Sequence, residues 1–395
     1  MKYKIETERC DLFDVNILIT MKVVLNQTVP FSDVKMAFNK ACKIHEILQS
    51  RVFIDEYGEA YYIENASPRN SISETGLSLA KLINENERLR FRIEEGEYIR
   101  AFSSPEGLIF IMHHLGGDGK SLLYFIETFM KCLTELPCEP VPFRTIDINS
   151  IPKSCRVPFF YKGLVGSWNR KWRKEKRVFT FDDMDKAYSE FWKYHKTKVS
   201  IKRYDSTELA KLLRKTKAIN VSLTAYLITE MIRKSKRIMD IGLAVDGRLD
   251  DNRSMGNQAT GISIKYRYNN KKSFEANAQA VSKLMKKKLT SNTYRYFVLK
   301  FMGSMDPTLK DTLNLERSGY FSSKHTSKIA EVLGYGKKVK DLSITNLTKA
   351  DIPLIYGEYE IKEIVFIPPV ISYGKNIIGI VTTGDVMNIT RHTYE

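Results

Sequence analysis

Gly107-Leu-Ile-Phe-Ile-Met112, His113-His114-Leu115-Gly116-Gly117-Asp118-Gly119, then Lys120 and the run Ser121-Leu-Leu-Tyr-Phe-Ile-Glu-Thr-Phe-Met-Lys-Cys-Leu133: the reading of this chain turns on that stretch. Gly107 to Met112 is a short apolar run that predicts a strand. From Ser121 onward Leu122, Phe125, Ile126, Phe129, Met130 and Leu133 recur at helical spacing and predict a helix with one apolar face. A double histidine and a Gly-rich turn therefore sit between a strand and a helix. An imidazole titrates near neutrality, so it can take the proton of a hydroxyl or amine attacking a carbonyl. Such a ring needs a neighbour to hold its orientation. Asp118 is placed to fix the loop by pairing with a distant base. Gly116, Gly117 and Gly119 let the backbone turn sharply and let a substrate approach.

The same residues admit other readings. Adjacent side chains point in different directions, so one of the two histidines is expected to be packed. A zinc site needs a third ligand, and His45, His195, His325 and His392 each stand alone, which argues against a metal. Gly119-Lys120-Ser121 looks like the end of a phosphate-binding loop, but the pattern Gly-x-x-x-x-Gly-Lys-Ser would need glycine where His114 stands.

Working outward, Asp14 to Val24 predicts a buried strand, Phe31 to Leu48 a helix and Val52 to Ile63 a hairpin turning at Glu56-Tyr57-Gly58. Residues 136–180 read as a connector, broken early by Pro137, Pro140, Pro142 and Pro152. It ends in the cationic stretch 168–177 around Trp168 and Trp172. A second α/β pattern follows, with helices over Thr207–Thr216, Ser222–Ser235 and Phe274–Leu289, a strand over Ile241–Val245 and a strand-rich end from Leu342 to Thr390. No short solenoid-type repeat is present.

The 395 residues suggest two lobes, and 43% apolar residues with 11% aromatics describe a globular chain. The five cysteines, odd in number and never spaced Cys-x-x-Cys, argue against a disulfide framework. The charged N-terminus lacks the apolar core of a secretory leader, and no apolar run reaches the roughly 18 residues of a membrane span. A cytoplasmic protein, monomeric, is the expectation. The net charge of +17 is lopsided: residues 1–150 hold 17 basic and 22 acidic side chains, leaving a net +22 on residues 151–395. Such a field favours an anionic partner: nucleic acid, a membrane surface, a coenzyme's phosphates or an acidic carrier protein. A solvated basic surface without a partner is the plain alternative. Nothing outside 168–177 suits nucleic acid, and Lys283 to Lys288 reads as the solvated face of its helix.

His-His-x-x-x-Asp-Gly between a strand and a helix resembles the active-site signature of the condensation domains of nonribosomal peptide synthetases. Chloramphenicol acetyltransferases, plant BAHD acyltransferases, alcohol acetyltransferases and wax-ester synthases share it in part. His45-Glu-Ile-Leu-Gln-Ser-Arg-Val52 is similar to an early histidine segment of that superfamily. Ala244-Val-Asp-Gly-Arg248 is similar to its arginine strand, and Gly256-Asn257 to the Gly-Asn that follows. Ser343-Ile-Thr-Asn-Leu347 resembles its Ser-Asn-Leu strand, and Ile361 to Tyr394 its closing hairpin. The resemblance covers essentially the whole chain, and the double-histidine motif is its specific part.

It implies an α/β fold, an α+β sandwich of two chloramphenicol-acetyltransferase-like lobes in a V-shaped pseudo-dimer around a central tunnel. The expected division is residues 1–165 as the lobe bearing the motif, 166–194 as a basic connector and 195–395 as the second lobe. His114 would be the general base, with His113 and Gly119 beside it. Asp118 would form a buried ion pair with Arg248. Thr345, Asn346 or Gly117 would offer a hydrogen bond to an oxyanion or the substrate. The function implied is an acyltransferase of secondary metabolism. It would move an acyl group from a coenzyme A or phosphopantetheine thioester to a hydroxyl or amine, with no bound cofactor and no metal. Amide-forming condensation in trans on carrier-bound substrates and a catalytically silent scaffold are the alternatives. The sequence departs from the family at Gln49, where an arginine is usual. The plant-type Asp-Phe-Gly-Trp-Gly segment is also missing, with Leu354-Ile-Tyr-Gly-Glu358 in its place.

Overall fold

The computed structural model describes residues 2–335, 339–372 and 374–395. The run Gly107–His113 forms a strand at the centre of a six-stranded sheet, buried at every position after Gly107. Strand order in this sheet is Ile355–Tyr356, Tyr359–Ile367, Leu18–Leu25, Gly107–His113, Ile99–Ser104 and Ser71–Glu74. A strand covered on both faces has to be apolar throughout, which explains the unbroken run. On one face lie the helices Phe31–Ile44 and Gly119–Leu133. There Phe110 meets Phe125 and Phe129, one helical turn apart, with ring centres 5.9 and 5.3 Å away, and Phe38 closes on Phe125 at 5.9 Å. The helix Phe181–Tyr194 covers the other face. Trp192 Nε1 donates to Val15 O at 2.9 Å, and Tyr188 hydroxyl donates to Glu87 O.

A second six-stranded sheet runs Ala259–Tyr266, Met239–Asp246, Leu342–Lys349, Asn376–Thr383, Val386–Tyr394 and Thr197–Tyr204. Helices Ser206–Ala218, Leu223–Ile232 and Phe274–Leu289 accompany it. A small third sheet joins Lys2–Lys4 to the hairpin Ser50–Ile54 and Ala60–Glu64. Buried bonds join the large sheets: Thr390 hydroxyl donates to Phe366 O at 2.6 Å, and Asn388 Nδ2 to Ile364 O at 3.0 Å.

Several boundaries differ from those read in the sequence. The first strand begins at Leu18, not Asp14, because Asp14 makes a turn of its own: Oδ1 accepts from Asn16 N and Oδ2 from Ser372 N. The first helix stops at Ile44, not Leu48, where His45 turns to extended backbone and the chain pairs with Val141 of the proline-rich arm. The range 166–194 is largely helical. It contains the end of a helix, Phe159–Glu175, and all of Phe181–Tyr194, whose start is closed by a capping box between Thr180 and Asp183. Val165, Trp168 and Trp172 form an apolar stripe on the first of these, and Trp172 is fully buried with Nε1 donating to Thr308 Oγ1 at 2.8 Å. Cations between the tryptophans hid that stripe. The ranges 1–165 and 195–395 do not follow the sheets either. Strand Tyr359–Ile367 pairs antiparallel with Leu18–Leu25, and Leu309, Leu313 and Ile329 join the first sheet's core. Asp311 there holds Arg9 through a two-pronged pair at 2.8 and 2.6 Å, both side chains 1% exposed.

The burial of Trp172 yields a test. Trp172→Ala is expected to cost about 3–5 kcal/mol in urea unfolding, through the cavity and the lost bond to Thr308. Lys171→Ala, on the exposed side of the same helix, should stay within about 0.5 kcal/mol of the parent.

Candidate active site

The turn after the central strand is built by hydrogen bonds from its own residues. His113 N–H donates to Tyr98 O at 2.9 Å and His114 N–H to Ile17 O at 3.1 Å. These bonds fasten the histidine pair to two neighbouring segments. The next turn is a short 3-10 helix, His114–Gly116. His113 Nδ1 accepts from Leu115 N at 3.1 Å and so caps that turn. Burial pushes the His113 imidazole down to about 3, with His114, Arg90 and Arg100 adding to the effect. It is therefore a neutral acceptor packed near Phe91. The strand's alternation turns it into the core, beside Phe181, Met184 and Tyr188.

His114 is the one partly exposed, its side chain 17% accessible. Its Nδ1 is buried without a hydrogen-bond partner and lies 3.9 Å from Asp11 Oδ2. That oxygen accepts from Asn257 Nδ2 at 2.6 Å. Burial raises the Asp11 carboxyl above its ordinary value, while His114 and the Asn257 bond draw it back. Sequence reasoning missed Asp11: it lies in the N-terminal segment with no motif around it. Asn257 was noted only as part of the Gly-Asn pair.

Asp118 caps the helix Gly119–Leu133 by accepting from Ser121 N at 2.9 Å, which starts the helix two residues before Ser121. Its carboxylate also takes Arg248 in a fork: Oδ2 accepts from Nη1 at 3.0 Å and Oδ1 from Nη2 at 3.2 Å. Gln258 N–H donates to Oδ2 at 3.0 Å. Both side chains of the pair are nearly inaccessible, at 5% and 4%. Further along the same helix, Arg248 and Arg253 stack over Tyr124 at 5.5 and 4.4 Å, and Arg253 Nη2 donates to Glu127 at 2.6 Å. Asp118, Ser121, Tyr124 and Glu127 thus present one helix face to the segment 246–258.

Gly117 pairs with Gly256 beside this fork, at φ 156° and 120°. A Cβ on Gly117 would lie 2.5 Å from Ser121 Cβ, and one on Gly256 2.4 Å from Arg144 O. Neither position tolerates a side chain. At Gly119 the constraint is packing against Leu347 and Phe366.

The expected oxyanion donors fare differently. Asn346 Nδ2 donates to Thr224 Oγ1 at 2.9 Å, and its Oδ1 accepts from Thr348 N, so its amide faces the helix Leu223–Ile232. Gly117 N–H donates to His114 O at 3.1 Å and is likewise committed. Thr345 points to the opposite side of its strand from Asn346, and its hydroxyl has no hydrogen-bond partner among the described residues. His45 is buried against Thr128 at 3.0 Å and is structural. The described residues contain no group of three or more His, Cys, Asp and Glu that could hold a metal ion. No described helix is long and apolar enough to cross a membrane.

Removing one arm of the buried fork should be costly. Arg248→Met strands the Asp118 carboxylate and is expected to lose about 3–5 kcal/mol in chemical denaturation. Asp118→Asn/Arg248→Met, with no charge left unpaired, should lose less than the sum of the single changes.

No protein-family profile matches the chain, and no curated protein matches it in sequence. Solved structures do match in shape. The first condensation domain of the CDA synthetase superposes with TM-score 0.63 at 12% identity, covering 98% of this chain and 87% of that one. The TRI3 trichothecene 15-O-acetyltransferase from Fusarium sporotrichioides gives TM-score 0.65 at 10% identity, covering 99% and 91%. The starter condensation domain of rhizomide synthetase, solved with C8-CoA, gives 0.60 at 10% identity, covering 100% and 89%. Over essentially its whole length, the chain shares the fold of these condensation domains and of that acetyltransferase.

Proposed function

We propose that the chain is an acyltransferase in which His114 deprotonates an incoming hydroxyl or amine. The observation that carries this reading is the asymmetry within the histidine pair. His113 is sealed and neutral, whereas His114 is partly open, with Nδ1 turned inward toward Asp11. That leaves Nε2 as the nitrogen to meet a substrate. A carboxylate behind the inner nitrogen favours the imidazolium that forms when the ring accepts a proton.

The acyl donor in this reading is a thioester of coenzyme A or of a carrier protein's phosphopantetheine arm. The acceptor's oxygen or nitrogen attacks the thioester carbonyl as His114 Nε2 takes its proton. The tetrahedral oxyanion then collapses, the carbon–sulfur bond breaks and the leaving thiolate takes the proton from the imidazolium. Thr345 is the hydroxyl free to donate to that oxyanion. The net +22 of residues 151–395 supports an anionic donor of this class. Acyl transfer of this kind runs without metal or redox chemistry.

Purified protein incubated with a mixed acyl-coenzyme A and acyl-carrier pool, plus a panel of alcohols and amines, should give a new ester or amide by mass spectrometry. His114→Ala should cut that turnover by about 10²–10⁴-fold with the fold retained by circular dichroism. Turnover near that of the parent in this variant would reject the assigned base.

A further inference from the structure

The helix Phe159–Glu175 has two faces with different occupants. Val165, Trp168 and Trp172 face the protein, and Tyr161 packs against Phe297 and Phe301 with ring centres 5.2 and 5.8 Å away. The opposite face carries Phe159, Gly163, Gly166, Arg170 and Lys174, spaced four, three, four and four residues apart, which keeps them in one outward stripe. Among the described residues nothing covers that stripe: a Cβ built on Gly163 or Gly166 meets no atom within 4 Å. Phe159 and Phe160 are 88% and 72% exposed, so both rings protrude from the surface. Beside the stripe are Lys162, Lys171 and Arg173. None of these cations, nor Arg170 or Lys174, pairs with an acid among the described residues. The one acid on the helix, Glu175, accepts from Ser323 at its far end.

Asn292 and Thr293 donate to Ser154 Oγ and Ser154 O, both at 3.0 Å, which ties the segment ahead of Phe159 to the start of the helix Asn292–Gly303.

We propose that this face seats the protein on an anionic lipid bilayer. Two phenyl rings at the helix start enter the headgroup–acyl boundary, and the cations along the remaining turns lie over lipid phosphates. The helix spans about 25 Å, so rings and cations engage together only if it lies flat along the surface. Bare glycines at the middle of the stripe let the backbone approach that plane closely. Convex protruding rings suit a fluid, deformable phase. A rigid protein partner would need a matching pocket and a broad buried area around it. Unpaired cations supply the charge complementarity to phosphatidylglycerol or phosphatidylserine headgroups.

The test is co-sedimentation of the full chain with vesicles of phosphatidylcholine alone and of phosphatidylcholine mixed with phosphatidylglycerol, at low and high salt. The intact protein should bind the mixed vesicles at low salt, and bind the neutral ones at least about tenfold less. Phe159→Ser/Phe160→Ser should lower partitioning about tenfold or more. Arg170→Glu/Lys174→Glu should lower it by at least about fivefold for each cation removed. All four positions are exposed, and unchanged circular dichroism confirms that the variants fold. Equal binding of parent and variants to the mixed vesicles would overturn the proposal. So would failure of the parent to bind them, including the case where it is retained on polyglutamate beads, which would mark the face as a site for a soluble acidic protein. The readout is independent of acyl transfer, so loss of the His114 assignment leaves it standing.

Discussion

The buried fork between Asp118 and Arg248 is the constraint on which the rest of the site depends. One carboxylate caps the helix after the double-histidine turn, accepts a backbone N–H at Gln258 and neutralises a guanidinium from the far half of the chain. Each of those bonds would be weak at a surface. In a region closed to water the pair cannot separate without leaving a charge unsolvated, so it sets how the two halves meet. Glycine stands at 117 and 256 beside the fork, where a Cβ would strike the Ser121 side chain and the Arg144 carbonyl, respectively.

That closure also decides the chemistry of the two histidines. They are identical in type and adjacent in sequence, yet one is neutral at any ordinary pH and the other faces a carboxylate across 3.9 Å. The difference comes from what packs on each face of a single strand. The helix Phe181–Tyr194 and Phe91 seal His113. Asp11 and Asn257, far apart in the sequence, meet beside His114. Position, not composition, separates the two rings.

Much of this was legible in the chain because it is written in local periodicity. The apolar run before His113, the stripe from Leu122 to Leu133 and the hairpin around Gly58 each need only neighbouring residues to be read. The helix Phe274–Leu289 was read at its observed ends. The misreadings have a common cause. Trp168 and Trp172 sit among so many cations that their stretch reads locally as the end of a basic connector, whereas their neighbours at Thr308 and Phe301 come from much later in the chain. Asn346 was read as a donor to substrate because its strand matched a motif. Thr224, on a covering helix, takes its amide instead.

What the sequence determined by itself was the strand, turn and helix around the double histidine, the α/β character of both halves and the charge imbalance between them. These follow from spacing and composition, which are local properties. The tertiary structure alone decided which histidine stays open, that Asp11 stands behind it, and that Tyr359–Ile367 crosses into the first sheet. Each of those outcomes depends on burial by residues distant in sequence, and burial is settled only when the separate elements pack together.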